Sequence, residues 1–193
     1  MTSRVYLVSP AMSASTRQAR FDDGGSIDQV AAARARAAAG ALPPAGRVLT
    51  SPAVRCRQTA VALGLDGPAV PELAGLDVGR WRGRTLDEVG AAEPEAVGRW
   101  LTDPESAPHG GESVRDLCGR LANWLADMAR TDGRTLAVVE PDVVRAVVVR
   151  ALGMPDAAFW RLDVPPLTVT ELSGRSGRWN LRLGRPPALR DAD

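Results

Sequence analysis

Three short apolar runs, each stopped by a proline-containing dipeptide, constrain this chain more than any other feature. Val5–Val8 runs into Ser9-Pro10, Arg47–Thr50 into Ser51-Pro52, and Thr135–Val139 into Glu140-Pro141. β-branched, apolar stretches of this length bounded by turn residues read as buried strands. Helix signals alternate with them. Ser26-Ile-Asp-Gln29 has capping-box form and opens an alanine-rich helix to about Ala41, ahead of Pro43-Pro44. Ser51 is expected to cap a further helix with Pro52 at its first position, where the missing N–H costs nothing. Thr85-Leu-Asp-Glu88 is another capping box. From Glu112 to about Arg130, apolar residues recur at Val114, Leu117, Cys118, Leu121, Leu125 and Met128, one helical face. A last helix is predicted from Asp142 to Leu152, and Leu167–Leu172 with Trp179–Leu183 read as an antiparallel hairpin turning through Gly174 to Gly177.

Strands alternating with helices imply a three-layer α/β/α sandwich with a mainly parallel sheet. In such sheets pockets form beyond the carboxyl ends of the strands, where Ser9-Pro10 and Glu140-Pro141 lie. The 193 residues suit one domain, placed at 1–185, with a tail from 186 to 193 containing Pro186-Pro187 expected to be disordered.

Composition removes several classes of function. A net charge of +1 supplies no field for nucleic acid or an anionic membrane, and neither partner is expected. All 24 basic residues are arginine, which excludes Schiff-base and lysine-nucleophile chemistry. Cys56 and Cys118 match no metal-ligand spacing and fall on apolar helical stripes, so both read as core residues. Neither a metal nor a cofactor is expected. The opening residues lack the basic region and long apolar stretch of a signal peptide, so a reduced, cytoplasmic protein is the expectation.

Four blocks carry a resemblance. Val5–Ser9, Ser51–Ala60, Leu76–Gly83 and Val138–Ala146 resemble, in order and spacing, the framework of the histidine phosphatase (phosphoglycerate mutase-like) superfamily; Gly110-Gly-Glu-Ser113 matches a family loop leading into the long helix. The resemblance implies that fold, and it implies where the family keeps its chemistry. Its first strand is followed by Arg-His-Gly, whose histidine is phosphorylated and whose arginine grips the phosphate; here Ser9 and Pro10 stand there. Arg55 occupies the position of a second phosphate-binding arginine. Gly75 stands at the general acid, and Glu140 at the second histidine. Of these positions only Arg55 keeps the family's residue.

The consequences are chemical. Proline offers no nucleophile, and a serine hydroxyl does not replace a bidentate guanidinium. A glutamate repels the dianion it should help to hold, and glycine protonates nothing. Phosphohistidine catalysis is therefore not expected. Two readings remain: a pseudoenzyme acting by binding a small-molecule ligand or a protein partner, or an enzyme with a repurposed pocket. The second would run an isomerisation, cyclisation or hydrolysis with Glu140 as general acid–base. The resemblance also implies a homodimer as one assembly.

Arg55 and Glu140 are expected to face one another and pair, the carboxylate standing in for phosphate. The ligand-binding candidates are Ser9, Thr16, Arg55 and His109. The competing reading for His109, the sole histidine, is an exposed loop. For Thr16 it is a solvated loop after the first strand. Asp142 reads as a residue opening a helix, Trp81 as packing, Trp100 as core, and Arg80, Arg82 and Arg84 as a basic patch near the mouth.

Overall fold

The computed structural model describes residues 2–183. The expected tail and the domain boundary at 185 lie outside the described residues. Strand β1 (Ser3–Val8) leads through a short helix α1 (Ala14–Arg17) to helix α2 (Gln29–Ala38). Strand β2 (Arg47–Thr50), helix α3 (Val54–Ala62), helix α4 (Leu86–Ala92), helix α5 (Pro94–Thr102) and the long helix α6 (Val114–Arg130) follow. Strand β3 (Gly133–Val138) and helix α7 (Pro141–Ala151) precede a terminal hairpin of β4 (Val169–Arg175) and β5 (Arg178–Arg182).

The sheet order is β2-β3-β1-β4-β5. β2, β3 and β1 run parallel, with Tyr6 level with Leu136 and Leu49 with Ala137. The antiparallel hairpin expected from the sequence is present and lies along the β1 edge, but its turn is shorter: Gly174 and Arg175 belong to β4, and Ser176 and Gly177 turn the chain with positive φ at both positions. Period-two alternation then sorts each buried strand onto two faces. Val5 and Leu7 of β1 join α6 and α7 in one core; Tyr6 and Val8 join α2 and α3 in the other. These are the three layers of a phosphoglycerate mutase-like α/β sandwich.

Local signals held where they were self-contained. Thr85 and Glu88 make reciprocal capping bonds at α4, and Ser113 and Asp116 do the same at α6. Two helix starts differ from expectation. Asp28, not Ser26, caps α2, because its carboxylate accepts from Ala31 N at 2.7 Å. Ser26 Oγ instead accepts from Gln58 of α3, so a tertiary contact takes the residue that local pattern assigned to the cap. Helix α3 begins at Val54, two positions past Pro52; Ser51 Oγ accepts only from Ala53 N, at 3.3 Å. Helix α5 carried no predicted element, yet it inserts Trp100 beside Trp81 at a 5.5 Å ring separation.

Candidate functional site

Glu140 lies two residues past the end of β3 and immediately precedes α7, so its side chain leaves the sheet at the carboxyl end of a central strand. Arg55 sits in the first turn of α3, which leaves the neighbouring strand β2. The two elements bring their heads together across 85 positions. Arg55 Nε donates to Glu140 Oε1 at 2.8 Å and its Nη2 donates to Oε2, a bidentate pair with side chains only 15% and 6% exposed. Thr16 Oγ1 accepts from the remaining arm, Arg55 Nη1. Cys56 completes the group, its thiol donating to Glu140 Oε1 at 3.2 Å. The pairing expected from sequence is present, and Thr16 joins it.

Each nitrogen of the Arg55 guanidinium and each oxygen of the Glu140 carboxylate has a partner within the protein. Glu140 opposes Arg55 and raises its pKa against the desolvation of the guanidinium. Burial pushes the Glu140 carboxyl up from its ordinary value, and Arg55 pulls against that rise. Burial, reinforced by the Glu140 carboxylate, pushes the Cys56 thiol well up, so it is a neutral core thiol and not a nucleophile.

Ser9 is not in this group. It is wholly buried, its hydroxyl donating to Pro165 O at 2.6 Å and accepting from Thr168 N at 3.0 Å. It ties the end of β1 to a turn in which Leu167 carries φ 55°. Pro10 is buried alongside it, and neither residue lines the cavity described below.

His109 corrects the exposed-loop reading: it is 1% exposed. Its ring packs edge-on against Trp81 at 5.1 Å, and Nδ1 accepts from Gly111 N at 3.1 Å. The proton therefore resides on Nε2, which has no conventional acceptor among the described residues and is turned among aromatic rings. Burial lowers its pKa and keeps it neutral. Two glycines make this loop packing feasible, since a Cβ on Gly79 would lie 2.3 Å from His109 O and one on Gly111 2.1 Å from Asp77 O.

A cavity of about 490 Å³ opens beside the Arg55–Glu140 pair. Phe21, Leu76, Val78, Trp100 and Trp160 give it apolar walls. Gly75 lines it at the family's acid position, where an added Cβ would stand 3.1 Å from Glu140 Cγ and 3.2 Å from Asp142 Oδ2. Asp142 thus fills the space a longer residue at 75 would enter. Its carboxylate accepts from Leu76 N at 2.6 Å and from Val143 N at 2.8 Å. Burial raises its pKa, and those two N–H groups oppose the rise. Arg145, one turn further along α7, also lines the cavity, donating from Nε to Leu162 O at 2.7 Å. Sequence reasoning missed Arg145, Asp22, Phe21 and Trp160 as wall residues, and gave Asp142 and Trp100 only structural roles. The i, i+3 spacing of Asp142 and Arg145 on a predicted helix was the available signal.

The basic patch at the mouth is neutralised. Arg80 and Arg84 both pair with Glu93, and Arg82 lies 3.9 Å from Asp22 and 3.8 Å from Asp77. Among the described residues no group of three or more His, Cys, Asp or Glu side chains is placed to hold a metal ion, and no helix is long and apolar enough to cross a membrane.

This arrangement, a pocket at the carboxyl ends of parallel strands with an arginine from the helix after β2, agrees with the family comparison. Residues 19–185 match the histidine phosphatase superfamily (branch 1), and the chain belongs to that superfamily. The match begins after β1, so the Val5–Ser9 block lies outside it. A bifunctional protein of Mycobacterium tuberculosis, Rv2228c, is 30% identical over 182 residues, covering 88% of this chain and 50% of that protein. A glucosyl-3-phosphoglycerate phosphatase of Mycolicibacterium vanbaalenii is 33% identical over 124 residues, covering 56% of this chain and 54% of the relative. The chain spans about half the length of these curated relatives. Among solved structures, a mycobacterial glucosyl-3-phosphoglycerate phosphatase in complex with VO3 superposes with TM-score 0.84 at 25% identity, over 94% of this chain and 98% of that one.

Proposed function

We propose that this histidine phosphatase-fold protein does not carry out phosphoryl transfer and that its cavity binds a small molecule other than a phosphate ester. The observation that carries this reading is the bidentate Arg55–Glu140 pair. A phosphate would need the guanidinium that Glu140 already holds, and would have to approach a carboxylate. No imidazole is present at residue 10 or 140, and Cys56 is kept as a thiol. The relatives' names include phosphatases, whose chemistry requires a nucleophile this chain does not display in the cavity.

The cavity supports a small-molecule ligand over a protein partner. Its volume lies within the roughly 300–1,000 Å³ of ligand pockets, and its walls mix apolar surface with a few convergent polar groups. The test is turnover of p-nitrophenyl phosphate and of glucosyl-3-phosphoglycerate by the purified chain. No release of phosphate above background is expected. Release that Arg55→Ala abolishes would overturn the reading.

One observation favours a second version, an enzyme for a reaction without phosphorus. Glu140 lines the cavity with its pKa raised by burial against the pull of Arg55, the direction a general acid–base carboxyl needs. Glu140→Gln would then abolish product while leaving ligand affinity in place. Unchanged product with Glu140→Gln would reject that version.

A further inference from the structure

An acid and a base on one wall of the cavity have no ion-pair partner among the described residues. Asp142 and Arg145 both lie on α7, one turn apart, and both line the cavity. Asp142 receives two backbone N–H groups but makes no ion pair with any described residue. Arg145 spends only Nε, on the carbonyl of Leu162, and its two terminal nitrogens make no hydrogen bond within the described residues. The two residues act on each other through space without closing a contact, and Asp163 adds to the field at Arg145. The guanidinium carbon lies 5.9 Å from the centroids of both the Phe159 and Trp160 rings, so aromatic faces rather than a carboxylate border this cation.

The other charged groups lining the cavity are already occupied. Arg55 and Glu140 hold each other, and Arg82 lies between Asp22 and Asp77. Arg82 is shared by two carboxylates, so Arg145 is the lining cation without an ion pair among the described residues. A ligand meets its fork and, one turn away, the Asp142 carboxyl, below apolar walls of Phe21, Trp100 and Trp160. A lone carboxylate on Arg145 would leave Asp142 without a cation, and a lone amine on Asp142 would leave the Arg145 fork unused. A molecule carrying both groups on one carbon, with a flat apolar body, satisfies all three features.

Resting on the reading that the pocket no longer serves phosphate esters, we propose that it binds a zwitterion of the aromatic amino-acid class. Its carboxylate sits on the Arg145 fork, its ammonium on Asp142, and its ring lies against Trp100 and Trp160. Specificity follows from the pairing requirement, because an analogue lacking either charge leaves a protein charge uncompensated in the cavity.

The experiment is calorimetric titration of the full chain with L-tryptophan, tryptamine and 3-indolepropionate, with orthovanadate in parallel. L-Tryptophan is expected to bind at least about 10-fold tighter than either analogue, one factor of ten corresponding to about 1.4 kcal/mol. Arg145→Gln should lower L-tryptophan to the affinity of tryptamine while leaving tryptamine unchanged, which also shows that the variant is folded. Asp142→Asn should lower it to the affinity of 3-indolepropionate. Equal affinities for the three probes, or no binding of L-tryptophan, with vanadate unbound, would overturn the ligand class alone. Vanadate binding that depends on Arg55 would overturn the underlying reading instead.

Discussion

The two ends of the cavity treat their charges in opposite ways. At the β3 end, Arg55 and Glu140 hold each other, and Thr16 and Cys56 add one hydrogen bond each. On the α7 wall, Asp142 and Arg145 stand on neighbouring turns with no ion pair among the described residues. A charge that is paired internally is part of the fold; a charge that is not is available to a ligand. In this superfamily member the arginine that resemblance assigns to phosphate belongs to the first kind. On the proposed reading, recognition falls to Asp142 and Arg145 on α7 instead.

Substitutions at the two ends therefore differ in what they damage. The largest effect is expected from Glu140→Ala, which leaves Arg55 buried beside a protonated thiol. It should lose about 3–5 kcal/mol of stability in urea unfolding, while Arg55→Met combined with Glu140→Leu recovers most of the loss because apolar residues fill the same space. A single substitution that costs nothing would place Arg55 in solvent and dissolve the comparison. Next comes Ser9→Ala, expected to cost about 1–3 kcal/mol in the same measurement. It orphans the Thr168 N–H and frees a turn that holds Leu167 at φ 55°. On the open wall, Arg145→Gln removes one hydrogen bond to a backbone carbonyl and no ion pair, so a loss of about 1 kcal/mol is expected, with the main effect on binding.

The pH dependence sharpens the comparison with smaller effects. Burial raises the Asp142 pKa above 3.8, so this group holds its proton more tightly folded than unfolded. Its contribution to stability is therefore greatest in acid and falls as pH climbs from the unfolded value through the raised folded one. Asp142→Asn removes that slope and should gain on the wild type as pH rises from about 4. His109 has the opposite sign. Its folded pKa lies below 6.5, so stability is lost as pH falls through that value. Because it is the sole histidine, His109→Gln should erase this acid limb in thermal melts between pH 7 and 5.

Much of the architecture was legible because its causes are local. Thr85 with Glu88, and the apolar stripe of α6, need only neighbours within a turn or two. The Ser26 cap failed because Gln58 claims that hydroxyl from another helix. The site was legible only in part. Arg55 and Glu140 could be brought together through the family framework, since nothing local links residues 85 positions apart. Ser9 was the right residue type at a strand end, yet the turn at 165–168 takes its hydroxyl. His109 follows a proline and precedes two glycines, a loop signature, and the loop is buried because Gly79 and Gly111 let two backbones touch. The Phe21 and Trp160 walls come from segments far apart in the chain, and no periodicity reports such a meeting.

The central claim is that Glu140 occupies Arg55 and closes this end of the cavity to phosphate. A crystal of the protein soaked in orthovanadate tests it most directly. An intact bidentate Arg55–Glu140 contact with no oxyanion beside it is expected. Vanadate seated on Arg55 with Glu140 swung aside would contradict it.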